Sequence, residues 1–144
     1  MSDFAGAVNS WCLKATGLTD EAARRAVISL CQKIIDRMPV DRSDRADEIY
    51  SKGDWNAAIG SEPGDVNRGD DSGEQAMAVV REVVAQWQPA TGQPFIFANY
   101  KPYILRIEYI GWQGKFKSTG PYAPVGRTVI EWDQIVEEAT RGTV

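Results

Sequence analysis

Carboxylates are the side chains in this sequence with the clearest chemical potential, and they crowd into two stretches, residues 41–54 and 61–74. Two carboxylates held close together can share the acid and base roles of a catalytic reaction. In the first stretch, however, the acids are interleaved with Arg42, Arg45 and Lys52. Neighbours of opposite charge compensate one another in water, so we interpret this stretch as a solvated charge cluster.

The second stretch contains a segment, Asp65 to Asp71, with the composition of a calcium-binding loop. An EF-hand loop requires glycine at its sixth position, for a sharp turn, and glutamate at its twelfth, as a bidentate ligand. Counted from Asp65, those positions hold Asp70 and Ala76. The spacing therefore predicts a solvated loop, with no metal site and no cofactor.

The sequence lacks the other common catalytic groups. It contains no histidine, which is the usual general base and metal ligand. No serine lies in a nucleophile-elbow context, and no glycine-rich phosphate loop ends in Lys-Ser or Lys-Thr. We therefore expect no enzymatic activity.

The charge balance bears on nucleic acids as partners. The net charge is −4 and the isoelectric point is near 4.9, whereas a grip on nucleic acid needs a basic surface. The triplet Lys115-Phe116-Lys117 is basic and aromatic, but it is too short to reverse that balance. We expect no sequence-specific binding of nucleic acid.

Length and composition indicate one domain outside the membrane. The chain has 144 residues, the length of a typical single domain. No apolar run reaches the roughly 18 residues of a membrane span. Cys12 and Cys31 fall at apolar positions of helical patterns. Because no signal peptide is recognisable at the start of the chain, we expect two buried free thiols rather than a disulfide.

Apolar periodicity and capping residues predict the secondary structure. Thr19, followed by two acids, has the pattern of a helix N-cap, and Pro39 is expected to end that helix. Residues 111–126 are rich in glycine and aromatic residues and are predicted to form a loop. Helices are predicted over residues 3–15, 19–38, 74–87, 102–109 and 128–140, and strands over 55–59 and 95–99.

These elements predict an α+β domain in which a small mixed or antiparallel sheet packs against about four helices. On the closing helix, the inward face is predicted to carry Val129, Trp132, Val136 and Ala139. Trp11 and Trp87 are assigned to the core by the same spacing. The residues predicted to be buried together are Val27, Leu30, Ile34, Val80, Val83, Val84, Val136, Trp55 and Phe95.

Five short phrases follow one another along the chain and match no catalytic pattern. They are Pro39-Val40-Asp41-Arg42, Gly53-Asp54-Trp55-Asn56, Asn99-Tyr100-Lys101-Pro102-Tyr103, Glu108-Tyr109-Ile110-Gly111-Trp112 and Ala123-Pro124-Val125-Gly126. In this order and between these helices, the chain resembles, from end to end, the neck or tail-completion proteins of long-tailed bacteriophages. The residues that carry the resemblance, which we interpret as architectural, are Pro39, Val40, Asp41, Trp55, Asn99, Pro102, Tyr103, Glu108, Tyr109, Pro124 and Gly126.

The resemblance implies a structural protein of the virion, made in the cytoplasm of the bacterial host and placed at the head–tail junction. It implies a ring of copies, six-fold or twelve-fold, that joins or completes the tail. The ring would contact other neck, head-completion and tail-terminator proteins, and DNA would pass through it. The alternative is a small non-enzymatic binding or regulatory module with the same fold. Neighbouring genes for head, terminator and tape-measure proteins would favour the first function.

Two segments depart from the family pattern. The Thr-Gly-Arg that follows Asp41 in the family is replaced by Arg42-Ser43-Asp44-Arg45. We therefore expect a single domain over residues 1–144 with insertions near 42–53 and 112–122. Aromatic side chains are enriched at the centres of interfaces. The candidate interface residues are Trp112, Phe116, Tyr122, Tyr103 and Tyr109.

The segment from Gly111 to Tyr122 has two interpretations: an assembly arm that orders on contact with a partner, or an Ω-loop packed against its own subunit. Replacing Trp112 and Phe116 with serine distinguishes them. If the segment is an arm, the isolated subunit keeps its Tm while heads fail to join tails. If it is a packed loop, the Tm falls by several degrees, because each aromatic contributes roughly 1.5–3 kcal/mol when fully buried. We favour the arm.

Overall fold

The computed structural model describes residues 11–13, 18–38, 51–70, 72–101, 104, 112–113, 118–119 and 123–141. Short 3-10 turns lie at Ser51–Asp54 and Pro89–Thr91. The helices of the described residues are α1 (Asp20–Asp36), α2 (Glu74–Gln86), α3 (Pro124–Val129) and α4 (Trp132–Thr140). The strands are β1 (Trp11–Leu13), β2 (Asn56–Ile59), β3 (Phe95–Ala98), β4 (Trp112–Gln113) and β5 (Ser118–Thr119).

The main sheet has the order β1-β3-β2, and both of its pairs are antiparallel. All four residues of β3 are buried, as expected for a strand that is central and covered on both faces. Phe97 of β3 stacks on Trp55 with the ring centroids 4.5 Å apart, and Phe95 packs against Trp87 at 5.7 Å. The first pair joins β3 to the residue that precedes β2, and the second joins β3 to the end of α2. Both bury large rings in preferred geometries.

The longest helix, α1, forms the centre of the helical layer. It begins as predicted at Thr19, whose hydroxyl accepts a hydrogen bond from the Ala22 N–H at 3.1 Å. The helices α2, α3 and α4 all pack against it. Its fully covered side is formed by Ala22, Ala23, Ala26, Val27, Leu30, Cys31, Ile34 and Ile35.

Two arginines of α1 bind the ends of the neighbouring helices. The guanidinium of Arg24 donates twice to the carbonyl oxygen of Trp87, at 3.0 and 2.7 Å, where α2 has just ended. The guanidinium of Arg25 donates in the same way to the carbonyl oxygen of Ala139 near the end of α4, at 3.1 and 2.7 Å. The last carbonyls of a helix lack partners within the helix and carry partial negative charge. Each arginine therefore satisfies and neutralises a helix end.

The fold class is confirmed: helices pack on a small antiparallel sheet in an α+β arrangement. The predicted core is confirmed for most residues, while Val83 and Val136 are partly buried and pack against it. The thiol of Cys31 is free and buried, as predicted, and burial raises its pKa well above the ordinary value. The prediction for the thiol of Cys12 lies outside what the structure describes. The core residues confirmed as buried are Val27, Leu30, Ile34, Val80, Val84, Trp55 and Phe95.

The first predicted helix is wrong where the structure describes it. Residues Trp11–Leu13 form strand β1 and pair with Phe95–Phe97 of β3. Three apolar residues in a row fit a strand as well as a helix face, and the partner strand supplies the hydrogen bonds that decide between them. The rest of the predicted helix lies outside the described residues.

The closing helix was predicted as one element over residues 128–140, and it is two. Helix α3 begins at Pro124, inside the predicted loop, and α4 begins at Trp132. Val129, predicted to be buried, is exposed, whereas Thr128 and Ile135 are buried. The buried residues Pro124, Thr128, Ile135 and Ala139 are four, seven and four positions apart, so the covered side keeps one helical phase across the break and lies one position before the predicted Val129 and Val136.

The predicted loop over residues 111–126 is also wrong in part. Strands β4 and β5 pair antiparallel within it, with Trp112 opposite Thr119 and Gln113 opposite Ser118. The glycine-rich stretch therefore includes a short hairpin. Within the predicted helix over residues 102–109, Ile104 is helical and buried, and its other residues lie outside the described ranges.

Leu30 provides a test of the core. Its side chain is fully buried in α1 within the main hydrophobic cluster. Replacing it with alanine should lower the free energy of unfolding by about 2–5 kcal/mol, because a cavity remains where the side chain was. Chemical denaturation measures the loss, and replacing exposed Ile130 with alanine is the control. A loss below about half a kcal/mol for Leu30→Ala would contradict this packing.

Candidate functional site

We call residues 61–70, the described part of the second acidic stretch that precedes α2, the acidic segment. Arg68 anchors this segment to residues 53–56 of the same subunit. The Nη1 atom of Arg68 donates to the carbonyl oxygens of Gly53 at 2.8 Å and Trp55 at 2.6 Å. Its Nη2 atom lies 3.4 Å from the side-chain oxygen of Asn56. One guanidinium thus binds three acceptors within residues 53–56, since its planar fork presents several donors at once.

The buried carboxylate of Asp54 completes this contact from the other side. It is 3% exposed, and its Oδ1 accepts a hydrogen bond from the backbone N–H of Arg68 at 2.9 Å. Next to it, a Cβ atom on Gly53 would come within 2.5 Å of the carbonyl oxygen of Asp70. The backbone of the acidic segment therefore lies directly against the 3-10 turn. Each residue of the Gly53-Asp54-Trp55-Asn56 phrase contacts that segment.

Asp70 holds the start of α2. Its carboxylate accepts hydrogen bonds from the N–H and the hydroxyl of Ser72 at 3.0 and 2.7 Å and from the N–H of Gln75 at 3.0 Å. Burial acts to raise the pKa of Asp70, but the hydrogen bonds from Ser72, Gln75 and Gly73 outweigh it and hold that pKa below the ordinary value. Asp70, which stands where an EF-hand loop would need its sixth-position glycine, therefore caps the start of α2.

The remaining described acids of the segment also have partners within the subunit. The carboxylate of Glu62 accepts a hydrogen bond from the hydroxyl of Tyr100 at 2.7 Å. Asp65 lies 3.3 Å from the ammonium of Lys101. Within the residues that the structure describes, no three or more acidic or cysteine side chains are grouped as metal ligands would be.

Asn99 ends strand β3 with a buried side chain. Its Oδ1 accepts a hydrogen bond from the N–H of Lys101 at 3.0 Å, which turns the chain out of the sheet. This places Tyr100 and Lys101 where they meet Glu62 and Asp65. The start of the Asn-Tyr-Lys-Pro-Tyr phrase therefore joins the end of β3 to the acidic segment.

The Ala-Pro-Val-Gly phrase leads into a second buried polar junction. The Thr128 hydroxyl donates to the carbonyl oxygen of Pro124 at 2.7 Å and accepts from Nη1 of Arg37 at 2.9 Å. Nη2 of Arg37 donates to both carboxylate oxygens of Glu131, at 3.0 and 2.9 Å. These hydrogen bonds, with the charges of neighbouring cations, hold the pKa of Glu131 below the ordinary value against the opposing effect of burial. Arg37 therefore ties the α3–α4 break to α1.

A shallow cleft of about 320 Å³ opens beside the start of α2. Its lining includes Gln32 of α1, Ser72 and Arg81. A helix N-terminus with a nearby arginine is a common site for anions. Here the first N–H groups of the helix are already bound, that of Glu74 by the Ser72 hydroxyl and that of Gln75 by Asp70. The cleft therefore offers no free helix-terminal donors from these two residues.

The structure brings some of the sequence-predicted residues together and leaves others undescribed. Trp55 and Asn99 are buried at the same end of the β2–β3 pair, next to the paired residues Asn56 and Ala98, while Pro124 and Gly126 lie in α3 and Trp112 lies in β4. The predicted residues that lie outside the described ranges are Pro39, Val40, Asp41, Pro102, Tyr103, Glu108, Tyr109, Phe116 and Tyr122.

The sequence analysis did not single out Arg68, Arg37 or Thr128. Arg68 joins the acidic segment to residues 53–56, and Arg37 and Thr128 join the end of α1 to α3. For Arg68 a signal was present, because it is the only base among the five acids of residues 61–74. A lone arginine in an acidic loop tends to bind acceptors there. Thr128 gave no such signal, since its buried hydroxyl is explained only by the approach of Arg37 from a distant helix.

None of the described helices is both long enough and apolar enough to span a bilayer. Comparisons of the chain with models of known protein families, with curated proteins and with solved structures give no match.

The cap formed by Asp70 predicts a pH-dependent contribution to stability. Replacing Asp70 with alanine should lower the free energy of unfolding at neutral pH by on the order of 0.5–2 kcal/mol, the usual value of a lost helix cap. The folded state lowers the pKa of Asp70 from 3.8, so its contribution is present above that pH. The contribution should be lost as the pH falls through the lower pKa of the folded state.

Urea denaturation of the wild type and of Asp70→Ala across the acidic range measures this dependence. The control is Glu82→Ala, which removes an exposed acid from the same helix. The difference for Asp70→Ala should shrink as the pH falls. A difference that stays constant would show that the carboxylate charge does not stabilise the helix.

Proposed function

We propose that this chain is a structural subunit of the neck of a long-tailed bacteriophage, where a ring of copies joins or completes the tail. The observation that carries the proposal is the order of the five phrases, from Pro39-Val40-Asp41-Arg42 to Ala123-Pro124-Val125-Gly126, along one chain. Each phrase is short. Their shared order, interleaved with the predicted helices and strands, is what distinguishes the chain from an arbitrary α+β domain.

The contacts made by the phrases support an architectural role for them. Gly53, Asp54, Trp55 and Asn56 receive the acidic segment through Arg68, and Asn99 ends the central strand. The carboxylate of Asp54, the side-chain amides of Asn56 and Asn99 and the carbonyl oxygens of Gly53 and Trp55 have hydrogen-bond partners within the subunit. A protein whose characteristic residues shape its fold is suited to present surfaces to neighbours, as a ring subunit must.

The ring itself is proposed as a cyclic assembly of six or twelve copies. In such an assembly one face of each copy fits a different face of the next. The opening would carry DNA, and an acidic lining favours passage because a wall of lysine and arginine would bind the phosphates. Exposed Glu62 and Asp65 fit such a lining, while Arg68 is half-buried and directed into its own subunit.

The location in the particle tests this proposal. Antibodies raised against the purified chain and coupled to gold should label intact virions at the head–tail junction in negative-stain images. Phage in which the gene is deleted should release filled heads and separate tails, because the connecting ring is absent. Antibody against the major capsid protein is the labelling control, and complementation with the intact gene should restore joined particles.

Two results would count against the neck function. One is joined, infectious particles formed without the protein. The other is the absence of label from particles while the protein stays in the cell, which would favour the alternative of a small binding or regulatory module.

A further inference from the structure

Among the described strands, β2 lies at one edge of the main sheet, because the order β1-β3-β2 gives it β3 on one side only. The N–H of Gly60 donates to the carbonyl oxygen of Pro94 at 2.8 Å, which continues the β2–β3 ladder past the end of the strand. Backbone groups of an antiparallel strand point alternately towards and away from the partner. Those of Ala57 and Ile59, and the carbonyl of Trp55, therefore point away from β3.

The acidic segment lies against the beginning of this edge. We call residues 64–70 the edge cover. Nη1 of Arg68 occupies the first outward-pointing acceptor, the carbonyl oxygen of Trp55, at 2.6 Å. The side-chain amide of Asn56 donates to the carbonyl oxygen of Gly64 at 3.0 Å, which holds the other end of the edge cover beside β2.

Polar contacts hold the edge cover. Among its residues Val66 and Arg68 are half-buried, while Gly64 and Asp65 are exposed. Its described attachments are the bonds of Arg68 to residues 53–56, the Gly64–Asn56 bond, the Asp65–Lys101 ion pair and the cap at Asp70. A segment with little apolar burial opens more readily than the core beneath it.

Strand β2 carries neither of the side-chain features by which edges usually resist pairing. Its residues, Asn56, Ala57, Ala58 and Ile59, include no charge and no proline. Two identical strand edges related by a two-fold axis present matching donors and acceptors to each other in the antiparallel direction. The β2 edge of a second copy is therefore a complementary partner that needs no further recognition.

We propose that the edge cover prevents β2 from pairing with β2 of a second copy of this chain, and that Arg68 is the residue that closes the edge. Its guanidinium blocks the first free acceptor, and its backbone N–H anchors the segment to the buried carboxylate of Asp54. The proposal does not depend on the neck function, because it concerns a single subunit and its strand edge.

Analytical ultracentrifugation over a concentration series tests the proposal on the full chain. Arg68→Ala should form additional two-fold association at a protein concentration on the order of ten-fold lower than the wild type requires, which corresponds to about 1.4 kcal/mol. The matched control is Asp65→Asn, which breaks the Asp65–Lys101 ion pair in the same segment without freeing the Trp55 carbonyl. It should sediment as the wild type does.

A second substitution identifies the edge. Ile59→Pro removes an N–H that points away from β3, so it costs no bond of the β2–β3 ladder, and proline is tolerated on edge strands. Added to Arg68→Ala, it should abolish the additional association. Association that persists in the double variant would overturn the proposal, as would folded Arg68→Ala that sediments like the wild type.

Arg68→Lys provides the same comparison if Arg68→Ala does not fold, as judged by circular dichroism. A single ammonium cannot span the three acceptors that the guanidinium holds, so Arg68→Lys should associate between the wild type and Arg68→Ala. If neither variant folds, the edge cover is an indispensable part of the fold instead of a removable layer, and the proposal is overturned.

Discussion

The burial of helix α1 is the constraint on which the rest of this structure depends. One long side of the helix is almost entirely removed from water, from Ala22 through Ile35, and α2, α3 and α4 pack against it. Three strands alone would form a marginal sheet. The sheet becomes stable because the side of Trp55, Phe95 and Phe97 joins the same hydrophobic cluster as α1. Removing apolar side chains from α1 would therefore loosen every described layer at once.

The polar residues of α1 are as important to the arrangement as its apolar side. Arg24 and Arg25 bind carbonyl oxygens at the ends of α2 and α4, and Arg37 binds the break between α3 and α4. Helix ends carry unpaired carbonyls and partial negative charge, so a cation that reaches them supplies both a donor and a charge. The same helix thus supplies the core and fixes the angles at which its neighbours end.

The described carboxylates of the 61–74 stretch, which first invited a catalytic or metal-binding interpretation, are mostly occupied with structure. Asp70 caps α2 and Asp65 pairs with Lys101, while the buried Asp54 of the 41–54 stretch accepts the N–H of Arg68. A carboxylate that already accepts bonds from its own subunit has less capacity to bind a ligand. The chemistry of this region is the attachment of a polar segment to a strand edge.

Sequence alone determined the elements whose signals are local. Thr19 as an N-cap, the apolar side of α1, the strands around Ala57 and Phe97, and the start of α2 at Glu74 could all be predicted. Capping and periodicity are properties of neighbouring residues, so they are visible without the fold. The five short phrases were likewise visible, although their geometry was not.

Tertiary structure decided what depends on residues far apart in the chain. Trp11–Leu13 became a strand because β3 offers it a hydrogen-bonded partner, and the closing helix broke where Arg37 binds Thr128 and Glu131. In the sequence Arg68 is one charge in a loop. In the fold it anchors that loop, because its guanidinium donates hydrogen bonds to the carbonyl oxygens of Gly53 and Trp55. Such contacts join residues more than ten positions apart, and the free energy that selects them exists only once the chain has folded.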